Sequence, residues 1–407
     1  MAGRALEGTR VVELGPYVAL PLAGRILASL GAEVVKVETN KVLDEMAFIP
    51  AWSRGAGQPD YQRGKRRVTI DVRTPQGREV LLELIAISDV FMTNFRRNIL
   101  DRWGIDFPVI RQTRPDIIIM WQTGLGGHGP YYTYKPYGIL VQHMSGVSLQ
   151  TGLPGASPGV VNSSYSDYHT GVFQPAAVIG ALMRRRGTGR GATMESSVFK
   201  SGAATVGPGV LDYQLNHRLP RRLGNRDPRA APHGVYPCAG EDRYCAIAVF
   251  SEEQWRGLGC AMGDPDWTRD FRFAGAFERL KHQDELDELI AAWTRQRSAE
   301  EVMAAMQGRG VPASIVSQGR DLHESAHLAA RGFYRETRYY TAERGVPASR
   351  WQPGTGTGWT SPMRLSGTPL EFGSYSNVGE DNAYVFGEVL AMPAERIRQL
   401  TEDGVLY

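Results

Sequence analysis

Cysteine is scarce in this chain, with three residues (Cys238, Cys245 and Cys260) among 407. Their wide spacing excludes a disulfide framework and a cysteine-based zinc site, so a reduced compartment, the cytoplasm, is expected. Long apolar runs are missing as well. No stretch approaches the length of a membrane span, and the opening MAGRALEGTR carries no signal-peptide core. Nor is there an excess of one charge sign. The 46 basic and 43 acidic residues leave a net charge of +3, which argues against nucleic acid or a membrane surface as partner and suits a small anionic ligand. No G-x-x-x-x-G-K-S/T phosphate cradle occurs. What is present is ordinary for a globular protein long enough for two domains, with 42% apolar and 22% charged residues.

The chain opens with a βαβ pattern: a strand over Arg10–Leu14, a helix over Val18–Leu30 closed by Gly31, and a strand over Glu33–Val37. Residues 39–64 form an irregular stretch, too long for a connector and expected to cover a ligand. A strand at Arg67–Val72, a helix at Thr74–Ile87, a strand at Asp89–Thr93, a short helix and a strand at Asp116–Gln122 follow. This alternation predicts an α/β fold with a Rossmann-like, doubly wound parallel sheet. Ligands of such sheets bind beyond the strands' carboxyl ends. Asn94-Phe95-Arg96-Arg97 stands at such an end. Further along, one helix is expected over Ser196–Tyr213 and a Pro/Arg-rich linker over 218–232. A hairpin (Val235–Cys238, Tyr244–Val249), helices near 252–262, 283–296 and 299–309, and an extended Ala313–Val316 make 226–325 a smaller α+β domain after a large domain over 1–225. Gly354 to Gly358 reads as a flexible loop and Pro393–Glu402 as a terminal helix.

Three motifs match patterns whose context fails them. Gly124-Leu125-Gly126-Gly127-His128-Gly129 fits the dinucleotide fingerprint, but Pro130 to Pro136 cannot readily open the helix whose N-terminus would hold a pyrophosphate, so no NAD is expected. His323-Glu324-Ser325-Ala326-His327 fits the zinc-protease pattern on flanks too polar for a buried helix. Glu343 has no pattern to support it as third ligand, and no metal is expected. Gly155-Ala156-Ser157-Pro158-Gly159 fits a nucleophile elbow, but Pro158 lacks the N–H that an oxyanion hole would need.

Asp167 is the remaining candidate. It stands where the polar stretch Asn162–Ser166 gives way to the helix-spaced apolar run Val172, Pro175, Ala176, Val178, Ile179. An Asp there is either a helix cap or an ionised carboxylate presented at a helix N-terminus. The run ends in the basic turn Arg184 to Gly191.

Taken in order, LEGTRVVEL with LAGRILASLGAEVVKVE (6–38), RGKRRVTIDVRTPQGREVL (63–81), DVFMTNFRRNILDRWGI (89–105), DYHTGVFQPAAVIGALMRRRGTGRGATMESSV (167–198) and GVPASIV (310–316) resemble the class III CoA-transferase family almost throughout the chain. The resemblance implies a large domain built from both chain ends, with 326–407 returning to it, and an interlocked-ring dimer. It implies transfer of CoA from an acyl-CoA such as succinyl-CoA to a carboxylic acid, with coenzyme A as part of the substrate. Asp167 matches the family's nucleophile. Lys65, Asn94, Phe95, Arg102, Lys135 and Tyr137, with the backbone at Val18, Ala19 and Gln62, match positions that contact CoA.

Two departures stand out. Thr39 replaces a basic residue at the adenine end, and the loop Gly224 to Gly234 replaces a glycine-only segment. Within that loop Arg226 and Arg229 are candidates to recognise a second carboxylate or a bulkier acid, and Tyr131, Tyr132 and Tyr134 suggest an aromatic or dicarboxylic acid. α-Methylacyl-CoA racemases share the superfamily and pair their aspartate with a histidine in G-H-D. Here the stretch is Lys135-Pro136-Tyr137-Gly138, which favours transfer over racemisation. A homodimer, a heteromer with a related subunit and a silent subunit of a heteromeric transferase are the states of assembly to weigh.

Overall fold

The computed structural model describes residues 3–39, 41, 44, 58–161, 165–341 and 346–407. Most of the irregular stretch over 39–64, and Glu343, lie outside the described residues. The chain divides into two compact units, Met1–Ser148 with Val160–Arg218 and Ala329–Tyr407, and Leu149–Gly159 with Leu219–Leu328.

The first unit is built on six parallel strands, β1 (Arg10–Leu14), β2 (Glu33–Glu38), β3 (Arg66–Thr69), β4 (Val90–Thr93), β5 (Ile118–Thr123) and β6 (Ala192–Ser197), in the order β3-β2-β1-β4-β5-β6. This is the expected doubly wound sheet, and its order reverses between β1 and β4. Both faces are covered, so consecutive residues on one strand serve different cores. Val12, Val35, Val68 and Phe91 face one cluster with Leu81 and Leu84, whereas Val11, Val34, Val90 and Met120 face another with Leu20, Leu27 and Val178.

Among the described residues, the α-helices of this unit up to residue 216 are α1 (Ala19–Ser29), α2 (Gln58–Gln62), α3 (Pro75–Ala86), α4 (Arg97–Trp103), α5 (Phe107–Thr113), α6 (Gly138–Met144), α7 (Tyr165–Thr188), α8 (Val198–Thr205) and α9 (Gly207–Asn216). Local chemistry fixes several ends. Thr74 and Asp106 cap α3 and α5 by accepting from Gly77 N and Val109 N, each with a proline in the first turn. Gly104 ends α4 at φ 66°.

Two expectations are corrected here. The single helix over 196–213 is instead the end of β6 followed by α8 and α9. Ser197 leaves the sheet and caps α8, and Pro208 forces a fresh start one residue into α9. The glycine-rich "loop" at 354–358 is instead part of a strand. After α9 the second unit intervenes; the first resumes with β10 (Tyr334–Thr341) and β11 (Gln352–Trp359), paired antiparallel with Tyr339 opposite Gly354. A Cβ at Gly354 would lie 2.7 Å from the Tyr339 ring. The glycines thus clear one face for an aromatic ring rather than loosen the chain.

The second unit carries the three-stranded antiparallel sheet β7 (His233–Pro237), β8 (Tyr244–Ala248) and β9 (Ala313–Ile315). Tyr236, Cys245, Ile247, Trp255, Leu286 and Ile290 are among its core. Ser251 caps the helix Glu252–Met262, and a Ser298/Glu301 capping box opens the helix Ala299–Gln307. Among the described residues no helix is long and apolar enough to cross a membrane.

The chain's last segment closes the first unit by hydrogen bonds to β3. Asp381 accepts from Arg67 N (2.8 Å), and Asn382 accepts from Thr69 N (2.9 Å) while donating to Thr69 Oγ1 (2.9 Å) and the Tyr407 carbonyl (2.6 Å). Asn382→Ala removes three of these bonds and leaves the Thr69 N–H unmet. It should cost about 2–3 kcal/mol, seen as a lowered urea midpoint for the unit that contains the parallel sheet.

Candidate active site

The reversal of strand order opens a crevice between the turn after β1, Gly15-Pro16-Tyr17, and the turn after β4, Asn94-Phe95-Arg96. Asn94 Nδ2 donates to the Pro16 carbonyl (2.7 Å), and Trp121 Nε1 donates to the Phe95 carbonyl (2.9 Å), which pins the second turn to β5. Three adjoining cavities open from it. One of about 320 Å³, at the ends of β1, β2 and β3, is lined by Lys36, Thr39, Asp71, Arg73, Phe95 and Trp103 among others. One of about 400 Å³ includes Val18, Asn94, Arg96, Lys135, Tyr137 and Asp167 in its wall. One of about 290 Å³ lies between the turn Asn94–Asn98 and the loop Gly124–Gly127.

Asp167 stands inside the first turn of α7. Of the two readings open for it, helix cap or presented carboxylate, the cap does not hold. The helix already includes Tyr165, and among the described residues no hydrogen bond reaches the Asp167 carboxylate. Without donors, desolvation dominates and raises its pKa from 3.8 to about 6. At pH 7 the carboxylate is still ionised in about nine molecules of ten, but it is poorly solvated and so a better nucleophile than a surface aspartate. The backbone at the start of α6 lies against it. A Cβ on Gly138, the first residue of α6, would lie 1.8 Å from Asp167 Oδ2.

The next residue along α7, Tyr168, shares a hydroxyl–hydroxyl hydrogen bond with Tyr61, which is 2% exposed at the end of α2. Burial holds both phenols above the usual tyrosine range, and the negative charge of Asp167 adds to the effect. At Gly171 a Cβ would lie 2.7 Å from the Ala19 carbonyl, so α7 rests directly on α1. The first turn of α7 is therefore held from two sides.

Of the positions matched to CoA contacts, Val18, Ala19, Asn94, Lys135 and Tyr137 line the cavity with Asp167, and Phe95 lines the two beside it. Three do not join them. Arg102 is exposed, with Nε donating to the Asn98 carbonyl (3.2 Å). Gln62 is fully buried and accepts from Lys65 (3.2 Å). Lys65 is also buried, and its ammonium is consumed by Glu13 (2.7 and 3.0 Å) and the Pro21 carbonyl (2.8 Å). Burial lowers the Lys65 pKa to about 7 against the pull of Glu13. In this arrangement the Lys65 ammonium is not free to meet a ligand phosphate. Arg226 and Arg229 are occupied too, by Asp284 and Asp287 and by Asp227 respectively.

The three pattern matches also resolve. His323 ends one short helix, His327 lies in another, and among the described residues no three His, Cys, Asp or Glu side chains gather as a metal site. Ser157 lies outside any helix or strand. In the glycine loop, Gly126 N donates to Thr123 Oγ1 (2.9 Å) and Gly127 N to Glu195 (2.9 Å), and no helix opens there.

Sequence reasoning passed over Glu13, Lys36, Tyr61, Tyr168 and the contact at Gly138. Glu13 and Lys36 face each other across β1 and β2, joined at 2.9 Å and both fully buried. Charged residues inside apolar parallel strands were the available signal. Tyr61 and Gly138 gave none, because their roles depend on partners far along the chain.

Residues 6–382 match the description "CoA-transferase family III". Succinyl-CoA–D-citramalate CoA-transferase of Chloroflexus aurantiacus is 30% identical over 99% of this chain and 98% of its own length. Succinate–glutarate CoA-transferase of Agrobacterium fabrum is 30% identical over 94% and 95%. Among solved structures, a CAIB/BAIF family protein from Brucella suis superposes with a TM-score of 0.85 at 28% identity, covering 95% of this chain and 100% of that one.

Because the folded-state pKa of Asp167 lies above the unfolded value, the native state binds this proton more tightly. The stabilisation is full below about pH 4 and is lost as pH rises through about 6. Asp167→Asn avoids that loss. Its urea midpoint should exceed the parent's at pH 7.5 by the equivalent of about 2–3 kcal/mol and converge with it near pH 4; an equal gap at both pH values would refute the assignment of the shift to this carboxyl.

Proposed function

The chain belongs to CoA-transferase family III, and from that premise we propose that it exchanges CoA between short dicarboxylic acids, with Asp167 as the nucleophile. One observation carries this: among the described residues Asp167 is the only acidic side chain lining its cavity and has no hydrogen-bond partner, while Lys135 and Arg96 line the same wall. The acids are suggested by the relatives, which are named for succinyl-CoA with D-citramalate and for succinate with glutarate.

In this reading an Asp167 oxygen attacks the thioester carbonyl of the donor acyl-CoA and expels the CoA thiolate, leaving a mixed anhydride. The thiolate attacks the aspartyl carbonyl and releases the donor's acid as its carboxylate, so Asp167 now carries CoA as a thioester. The acceptor carboxylate attacks that carbonyl, the thiolate leaves again, and its attack on the acceptor's carbonyl frees Asp167. No proton is moved in any step, so the ionised carboxylate is the form required. Each addition passes through an oxyanion. The backbone N–H of Gly138, in the first turn of α6, is the donor we assign to it. The nucleotide end of CoA is assigned to the cavity of about 320 Å³, where the Phe95 and Trp103 rings meet edge to face at 4.9 Å.

Racemisation finds no second group here, since among the described residues no histidine lines the cavity with Asp167. For assembly we favour a second copy of the same chain, in the interlocked form that the family resemblance implies. α7 leaves Val172, Phe173 and Met183 exposed, and α9 leaves Val210, Leu211 and Leu215 exposed. Apolar surface of this extent is what a partner subunit covers.

Asp167→Ala should lower transfer from succinyl-CoA to glutarate by roughly a thousandfold or more, while the Kd for CoA measured by calorimetry stays within about twofold. Undiminished transfer in this variant would refute the nucleophile. In the parent protein, kcat/KM should fall about tenfold per pH unit below about pH 6, as the carboxylate is protonated.

A further inference from the structure

Two glutamines lie where the packing calls for apolar side chains. Along β5, Ile118 and Met120 face the core beneath α1 and α7, and alternation puts Gln122 on that same face at the carboxyl end of the strand. On α7, Gln174 follows Asp167 by about two turns and so shares its side of the helix. Both glutamines are buried, Gln174 to 1% exposure and Gln122 to 7%. Gln174 Nε2 donates to Gln122 Oε1 (3.4 Å) and to Ser196 Oγ (3.3 Å), Ser196 being the residue opposite Gln122 on β6. Gln174 Oε1 is buried and has no partner among the described residues. An orphaned buried acceptor costs about 1–3 kcal/mol, so stability does not account for this chain of polar groups.

Its outer end opens on the cavity of Asp167, which Gln122 lines. With Oε1 engaged by Gln174, the Nε2 end of the planar amide is the part left for the cavity, and among the described residues it meets no protein acceptor. The wall thus carries a neutral, directed donor in the same cavity as a carboxylate that has no donor of its own. We propose that Gln122 is a substrate-binding residue: its amide N–H holds one oxygen of the acceptor's reacting carboxylate while the other oxygen attacks the aspartyl thioester. A neutral donor suits this task, because it fixes the carboxylate through a charge-assisted bond and leaves it an anion. Gln174 and Ser196 act through Gln122 as positioning residues, keeping its nitrogen and not its oxygen toward the acid. This rests on the transferase reading above and adds to it the contact that orients the acceptor.

The test uses the full chain, Gln122→Met, Gln174→Leu and the double variant, with succinyl-CoA as donor and glutarate as acceptor. In Gln122→Met the KM for glutarate should rise about tenfold, while kcat stays within about threefold. Gln174→Leu should raise that KM about threefold, and the double variant should match Gln122→Met, since Gln174 acts only through Gln122. The Kd for CoA should stay within about twofold throughout. Melting temperatures report folding, and Gln174→Leu should melt no lower than the parent because it removes the orphaned acceptor. If Gln122→Met does not fold, Gln174→Leu carries the test. Saturation-transfer NMR of glutarate with CoA-loaded protein reads the acid contact without turnover, and its signal should weaken in Gln122→Met. An unchanged KM, or an NMR signal equal in parent and variant, overturns the proposal. So does a loss of CoA affinity with the glutarate KM intact, which would make Gln122 a CoA contact. If no acid accepts CoA from the parent protein, the transferase reading fails, and the NMR comparison still decides whether Gln122 holds a carboxylate.

Discussion

The carboxylate of Asp167 lies so close to the start of α6 that any side chain at position 138 would push it aside, and its place depends on how the helices of the first unit are held. A Cβ there would stand 1.8 Å from Oδ2. For the contact to persist, α7 must keep its height and rotation over the sheet. Gly171 provides that by letting α7 settle on α1, where any side chain would strike the Ala19 carbonyl at 2.7 Å. The bond between Tyr61 and Tyr168 fixes the same turn from α2. The outcome is a carboxylate enclosed by backbone and tyrosine, short of donors, whose pKa is raised by burial and not lowered by hydrogen bonds. Such a group stays an anion at neutral pH yet gains much by forming a covalent bond that removes its charge.

Behind the crevice runs a second buried constraint, made of charges. Glu13 in β1 receives Lys36 from β2 (2.9 Å) and Lys65 from the segment before β3 (2.7 Å), and Gly24 of α1 leaves room for the Glu13 carboxylate. Buried pairs of this kind rarely add net stability, but they penalise every wrong register. Here they tie β1, β2 and the turn before β3 into one arrangement, at the edge of the cavity of about 320 Å³. They also occupy the ammonium of Lys65, one of the positions matched to CoA contacts, in this arrangement.

Much of the fold was legible because it depends on local signals. Strands β1 to β5, the capped helix after Thr74 and the hairpin of the second unit announce themselves through apolar periodicity and cap residues. The misses came where tertiary context overrides local preference. β6, reading Ala-Thr-Met-Glu-Ser-Ser, lies at the sheet edge with alternating burial and too little apolar content to declare itself. The glycines of β11 mimic a loop until Tyr339 is seen across the ladder. At the site, Asp167, Asn94 and Lys135 could be placed by chain-long resemblance. The contact at Gly138, the tyrosine pair and the pairing of Arg226 with Asp284 and Asp287 are meetings of distant residues, invisible to any window of sequence.

The central claim is that Asp167 becomes covalently bonded to acyl and then to CoA, and one isotope experiment follows its oxygen atoms. In the proposed sequence, an acceptor carboxylate attacks the aspartyl thioester and later departs as an acyl-CoA, leaving one of its own oxygens behind on the aspartate. The protein would be cycled with succinyl-CoA and glutarate carrying oxygen-18 in both carboxylates, then digested, and the peptide spanning Asp167 examined by tandem mass spectrometry. The account predicts oxygen-18 in the Asp167 side chain and in no other acidic residue. Turnover with an unlabelled Asp167, or label in a different carboxylate, would contradict it.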